Sequence, residues 1–168
     1  MKNIFFISAF ICLTTASAVA QQQKLAHLNS GNLLEMMPDV RQANKQLEAY
    51  QKQLTAKGQT MSKQFQDKYQ KYMQEGQSLT DAERSTREGA LQKEQEKIAK
   101  YSQEVQTNLE KKRQTLLKPI LERVDGVIKT VAKENGYSFV FDTSGGATLF
   151  SNQSEDILAL VKGKLGLK

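Results

Sequence analysis

The sequence predicts an α+β chain, mostly α, in which a small body is interrupted by a long antiparallel helical hairpin. Three observations predict it. Between Arg41 and Lys118 there is no Pro, there are few β-branched residues, and Gln, Lys, Glu and Ala are dense, a composition that favours long helix. Large apolar residues in that stretch are sparse and recur at steps of three, four and seven, which marks helices with one narrow apolar seam. Short β-prone segments lie on either side of it, at Leu25–Leu28, Tyr137–Phe141 and Ala147–Phe150.

The chain opens with Lys2, an apolar run from Ile4 to Leu13, and small residues ending in Ala18-Val19-Ala20. This is the layout of a secretory signal peptide over residues 1–20, cleaved after Ala20. The run is well short of the ~20 apolar residues that a spanning helix needs. Bulky Ile11 before Cys12 argues against a lipid-attachment site. Cleavage removes Lys2 and no acid, taking the formal charge from +6 to +5, and it removes the only Cys. The mature chain is then expected outside the cytoplasm, without disulfides, and nucleic acid is not the expected partner of its basic charge. One His (His27) and one Cys (Cys12) are too few for a Cys/His zinc cluster. They leave no nucleophile–His set either, unless His27 is its base.

The body is expected in two pieces, 21–40 and 119–168. The first holds the strand Leu25–Leu28 and a helical turn Leu33–Met37 stopped by Pro38. Residues 41–118 form the arm. Its first helix carries Leu47, Tyr50, Leu54, Met61, Phe65, Tyr69 and Tyr72 along the seam and ends near Gly76, which suits a C-cap. Thr80-Asp81-Ala82-Glu83 reads as a capping box that starts a second helix, whose seam holds Leu91, Ile98, Tyr101, Val105, Leu109 and Leu116. With the turn centred on Ser78, facing residues have numbers summing to about 156. That pairs Phe65 with Leu91, Leu54 with Tyr101, Tyr50 with Val105, Leu47 with Leu109 and Val40 with Leu116, and it sets small Gly58 opposite Ile98. The first arm helix would be roughly 54 Å long at ~1.5 Å per residue.

Pro119 is expected to kink the second helix or end its straight run. Beyond it the richer aliphatic face of Ile120, Leu121, Val124, Val127, Ile128 and Val131 should pack into the body until Asn135-Gly136 ends the helix. A strand Tyr137–Phe141, a turn Asp142–Gly146, a strand Ala147–Phe150 and a terminal helix from about Glu155 to Leu165, N-capped by Ser154, complete the body. So small a body, with three short strands and neither metal nor disulfide, is expected to need self-association. Its open sheet edges invite pairing with further copies, so a homo-oligomer is predicted.

The arm holds 16 basic and 10 acidic residues and so carries all the excess positive charge. Lys45, Lys52, Lys57, Lys63, Lys68 and Lys71 on its first helix are candidates for electrostatic steering. Their field would attract anionic partners such as acidic polypeptides or a negatively charged membrane surface. The seam is under-filled for a packed coiled coil, so Tyr50, Leu54, Met61, Phe65, Tyr69, Tyr72 and Met73 are candidates both for closing the hairpin and for contacting other chains.

Lys24-Leu25-Ala26-His27-Leu28-Asn29-Ser30 followed by Asn32-Leu33-Leu34-Glu35-Met36-Met37-Pro38-Asp39-Val40 resembles the opening of the Skp/OmpH family of periplasmic chaperones. The close resembles it as well, through Tyr137-Ser138-Phe139-Val140-Phe141-Asp142, Gly145-Gly146, Leu149-Phe150-Ser151-Asn152 and Asp156-Ile157. The resemblance implies a trimer whose subunits build a shared β-barrel-like body, with Leu25, Leu28, Phe139, Phe141, Leu149 and Phe150 in that oligomerisation body. It also implies ATP-independent holding, in the periplasm, of unfolded outer-membrane β-barrel proteins in a cavity between the arms. Ala26-His27 depart from the family opening, and His27 reads as a strand residue rather than a site. The alternative reading is a coiled-coil envelope tether or adaptor that binds one folded partner or the membrane surface. Nothing reads as an enzyme or a cofactor site. Glu155 and Asp156 suit a helix start, and Gly145-Gly146 lacks the GKS/T signature of a phosphate loop.

Overall fold

Two helices joined by a five-residue connection carry most of the chain, and everything else packs at their far end. The computed structural model describes residues 23–167. The expected signal peptide, with Cys12, lies outside the described residues. In chain order the elements are β1 (Leu25–Leu28), α1 (Ser30–Met36), α2 (Pro38–Glu75), α3 (Asp81–Glu134), β2 (Phe139–Asp142), a 3-10 turn Gln153–Glu155, and α4 (Leu158–Lys164).

The arm helix α2 begins at Pro38, three residues before the expected Arg41. Met37 is extended (φ −75°, ψ 123°) and serves as its N-cap, so Pro38 both ends the first helical turn and opens the next helix. Its ring presets φ and its missing N–H would have had no partner there. The short helix α1 starts from Asn29, whose side chain accepts from the Asn32 amide at 2.9 Å. Its 38 residues give α2 a length of about 57 Å, and the 54 residues of α3 give it about 81 Å.

The tip follows the sequence closely. Gly76 is the C-cap of α2, although its backbone (φ −55°, ψ −30°) is right-handed and makes no use of glycine's freedom. Thr80 and Glu83 form a complete capping box: the Thr80 side chain accepts from the Glu83 amide, and the Glu83 carboxylate accepts from the Thr80 amide at 2.9 Å. At the other end α3 runs unbroken through Pro119. Proline removes only the bond to the Thr115 carbonyl, and Ile120 and Val124, buried in the core just beyond, hold the next turn in place. Gly136, with φ 70°, takes the left-handed position that terminates α3, where the Tyr137 amide donates back to the Ala132 carbonyl at 2.9 Å.

β1 and β2 pair in parallel, with Leu25 opposite Phe139 and Leu28 opposite Asp142. Parallel strands need a long crossover, and here the whole of α1, α2 and α3 supplies it. One sheet face buries Ala26 and Leu28, which join Leu33, Met37, Ala43, Ile120, Val124, Val131, Ile157 and Val161 in the core. The period of two sends Leu25, Phe139 and Phe141 to the opposite face, where they are 39%, 52% and 53% exposed.

Two expectations fail at the C-terminal end. Ala147–Phe150 forms no strand, so the described sheet has two strands and not three. The open edge of β1 is already occupied: His27 bridges to Asp156, and the Ile157 amide donates to the His27 carbonyl at 3.0 Å. Leu149 and Phe150 consequently stand 100% and 87% exposed. The terminal helix begins at Leu158 rather than Glu155, and Ser154 falls in the separate 3-10 turn. The N-cap is Ile157, which has no side-chain capping bond; Asp156, one residue before it, accepts from the Leu158 amide through Oδ1 at 2.8 Å.

Candidate binding surfaces

The arm is a pair of helices whose apolar residues can cover each other only on one side. Of the seven candidate contact residues, Leu54 alone is buried, at 8% exposure. Tyr50, Met61, Phe65 and Tyr72 are half-buried, and Tyr69 and Met73 stand 47% and 61% exposed. Phe65 and Tyr69, one turn apart, stack with ring centroids 6.2 Å apart. Along α2 the apolar stripe therefore drifts out of the seam towards the tip.

The tightest closure of the arm is at mid-length. Tyr101, 8% exposed, donates its hydroxyl to the Leu54 carbonyl at 2.9 Å, which joins two residues paired by the expected register. A methyl placed on Gly58 would meet the Tyr101 ring at 3.5 Å, so Gly58 faces Tyr101 rather than Ile98. Lys57 lies over that ring at 5.0 Å, and Lys112 of α3 lies over Tyr50 of α2 at 5.8 Å. No sequence signal sets Tyr101 apart from the other seam residues or Lys112 from the other lysines; only the folded pair does.

All six candidate steering lysines are exposed. Lys52 pairs with Glu48 at 2.7 Å, Lys63 with Asp67 and Lys71 with Glu75 at 3.9 Å, each one turn apart, and Lys68 reaches across to Glu94. Near the tip the two helices are joined by polar contacts: Lys68–Glu94, Arg87–Glu75, and the Tyr72 hydroxyl donating to Glu88 at 2.5 Å. The hydrogen bond from Lys68 holds the Glu94 carboxyl below its ordinary range, and the bond to Glu88 raises the Tyr72 phenol. Lys68, Lys71, Tyr72, Arg87, Leu91 and Glu94 line an open cleft of about 260 Å³.

The second surface belongs to the body. The open sheet face carries Phe139 and Phe141 with ring centroids 6.4 Å apart, beside Leu25; Leu28, by contrast, points into the core. His27 sits among them, half-buried, its Nε2 donating to the Asn152 carbonyl at 2.9 Å. The end of β2 is fastened by Asp142. Its carboxylate accepts from the Ser30 amide (3.1 Å), the Ser30 hydroxyl (2.5 Å), the Ser144 amide (2.9 Å) and the Ser144 hydroxyl (2.9 Å). Partial burial pushes the Asp142 carboxyl up, but these four donors outweigh it and hold it down to about 2. Asp142-Thr143-Ser144-Gly145 is legible in the sequence as a turn; that its first residue also ties down the start of α1 is not.

Among the described residues no group of three or more His, Cys, Asp or Glu is placed to hold a metal ion, and no helix is long and apolar enough to cross a membrane. The chemistry of these surfaces is adhesive: exposed aromatics and Met, exposed cations, and an apolar sheet face.

A family model described as outer membrane protein (OmpH-like) matches residues 24–165. Among curated relatives, the chaperone protein Skp of Yersinia enterocolitica is 28% identical over 159 residues, covering 95% of this chain and 96% of that one. The chaperone protein Skp of Photorhabdus luminescens is 27% identical over 162 residues, covering 96% and 97%. A Caulobacter crescentus protein, whose crystal structure is described as that of an OmpH-like outer membrane chaperone, has the same fold. Its TM-score is 0.74 at 15% identity, over 85% of this chain and 83% of that one.

Proposed function

The chain belongs to the OmpH-like outer membrane protein family, and on that premise we propose that it is a periplasmic holdase that keeps unfolded outer-membrane β-barrel proteins from aggregating, without nucleotide. The observation that carries this reading is the open seam: an arm that leaves Tyr69 and Met73 exposed and most other seam residues half-buried offers many weak apolar contacts and no single deep pocket. Such contacts gain strength by number and tolerate varied sequences. The net positive arm adds attraction for acidic segments of a polypeptide.

The enclosure is built from several copies, three by the family resemblance, meeting through the bodies. The exposed Leu25, Phe139 and Phe141 on the sheet face, and the exposed Leu149 and Phe150 beyond it in the chain, are large apolar side chains that a lone subunit would leave in water. Residues 21–40 and 119–168 act as this assembling body, residues 41–118 as the arm, and residues 1–20 as the export signal.

The test is aggregation of a urea-unfolded β-barrel membrane protein on dilution, followed by light scattering. The purified chain, in stoichiometric amount and without nucleotide, should suppress it. Undiminished scattering overturns the proposal.

A further inference from the structure

The positive charge of the arm is not spread along it. Residues 41–57 of α2 and 100–118 of α3, side by side in the antiparallel pair next to the body, hold nine basic residues against three acidic ones, Glu48, Glu104 and Glu110. Residues 58–99, the distal half with the tip, hold seven of each. The whole excess of six charges therefore sits at the root, and the distal half is neutral.

Local pairing leaves free cations in both halves, so the division rests on the net charge. In the distal half Lys63, Lys68, Lys71 and Arg87 are ion-paired, and Lys93 and Lys97 make no ion pair among the described residues. At the root Lys52, Lys100 and Lys118 are ion-paired, and Lys45, Lys111 and Arg113 are exposed and make no ion pair among the described residues. The two halves are also electrically separate. Each is roughly 25 Å long or more at ~1.5 Å per residue, whereas charges in water are screened over about 8 Å at physiological ionic strength. A segment near the tip does not feel the root.

We infer that the arm is a two-zone surface: a cationic root that takes acidic segments of an unfolded polypeptide, and a neutral, aromatic distal half that takes its apolar segments. This rests on the holdase reading and assigns the two kinds of contact to different places on the arm. The partner is a polypeptide and not a lipid surface, because a flat membrane meets a projecting arm at its tip, where the net charge is zero. The apolar stripe follows the same division, since Tyr69 and Met73, the exposed large apolar residues of the arm, lie in the neutral half. An acidic stretch captured at the root leaves its apolar neighbours within reach of that stripe.

Two triple variants remove the same charge from different zones: Lys45→Gln with Lys111→Gln and Arg113→Gln at the root, and Lys63→Gln with Lys93→Gln and Lys97→Gln distally. All six side chains are exposed, so both variants should fold, and thermal melting verifies it. Fluorescent poly-L-glutamate serves as the acidic polypeptide and phosphatidylglycerol vesicles as the lipid surface. The root variant should bind polyglutamate about tenfold more weakly and the distal variant less than twofold more weakly, with little vesicle binding by any form. Equal losses for the two variants, a larger loss for the distal one, or vesicle binding that outcompetes polyglutamate would each overturn the inference. Polyglutamate binding is read without any aggregating protein. A chain that fails to suppress aggregation but shows the root-specific loss therefore refutes the holdase reading and leaves the root assignment standing.

Discussion

Replacing Tyr101 tests how the arm is held closed. The ring is 8% exposed, its hydroxyl donates to the Leu54 carbonyl at 2.9 Å, Gly58 lies beneath it and Lys57 over it at 5.0 Å. Tyr101→Phe keeps the packing and deletes one neutral hydrogen bond, a loss of about 0.5–1.5 kcal/mol. The low end is expected, because the Leu54 carbonyl lies within α2 and keeps its bond from the Gly58 amide. Tyr101→Ala deletes the ring as well, the large-to-small loss of about 3–5 kcal/mol seen at buried aromatic sites. In a two-helix rod that energy is local, so the variant should open the arm and spare the body. Hydrogen exchange reads this directly. In Tyr101→Ala, amides flanking Leu54 and Tyr101 should lose protection by at least a hundredfold, while those of Ala26–Leu28 and Ile120–Val131 should not change. Tyr101→Phe should cost tenfold or less. Equal losses in arm and body, or an indifferent Tyr101→Ala, would refute the idea that this contact closes the arm.

Other outcomes follow from single sites. A methyl added at Gly89 in α3 would meet nothing within 4 Å, so Gly89→Ala should stabilise the arm by about 1 kcal/mol, whereas Gly136→Ala, at φ 70°, should destabilise by a similar amount; thermal melts compare them. Asp142 has a carboxyl depressed to about 2 in the folded chain, so its contribution is present above the ordinary value of 3.8 and is lost as pH falls through about 2. Its site is largely open to water, so the contribution is about 1 kcal/mol, and Asp142→Asn should remove it already at neutral pH and flatten the acid limb of a stability–pH curve. Phe139→Glu with Phe141→Glu places charge on the open sheet face and should reduce the assembly to single copies in sedimentation, with the helical circular dichroism retained.

What the sequence discloses well is local. The capping box at Thr80 and Glu83, the end of α3 at Asn135-Gly136 and the seam spacing all act over one or two turns, and each is present. What it hides depends on a second segment far along the chain. Ala147–Phe150 has strand-like composition, but among the described residues it pairs with neither edge of the sheet: Asp156 bridges to β1, and the outer edge of β2 is left unpaired. Pro38 reads as a stop because α1 precedes it; that it also opens α2 depends on the extended Met37. At the candidate surfaces the residue types are legible, but their exposure is not. Nothing local separates Leu54, which is sealed, from Tyr69, which is open, since both fit the same period. The charge excess of the arm is legible as a total, and its position along the arm emerges only when the two helices are laid side by side.

The parallel pairing of Leu25–Leu28 with Phe139–Asp142 also orders events during biogenesis. As the polypeptide is made from its N-terminus, β1 emerges more than a hundred residues before its partner β2 and must wait for it. The intervening hairpin relies on nearer contacts and can zip from its turn, drawing the two distant ends together and lowering the entropy of that closure. The limb thus serves as the folding scaffold of the base from which it later projects.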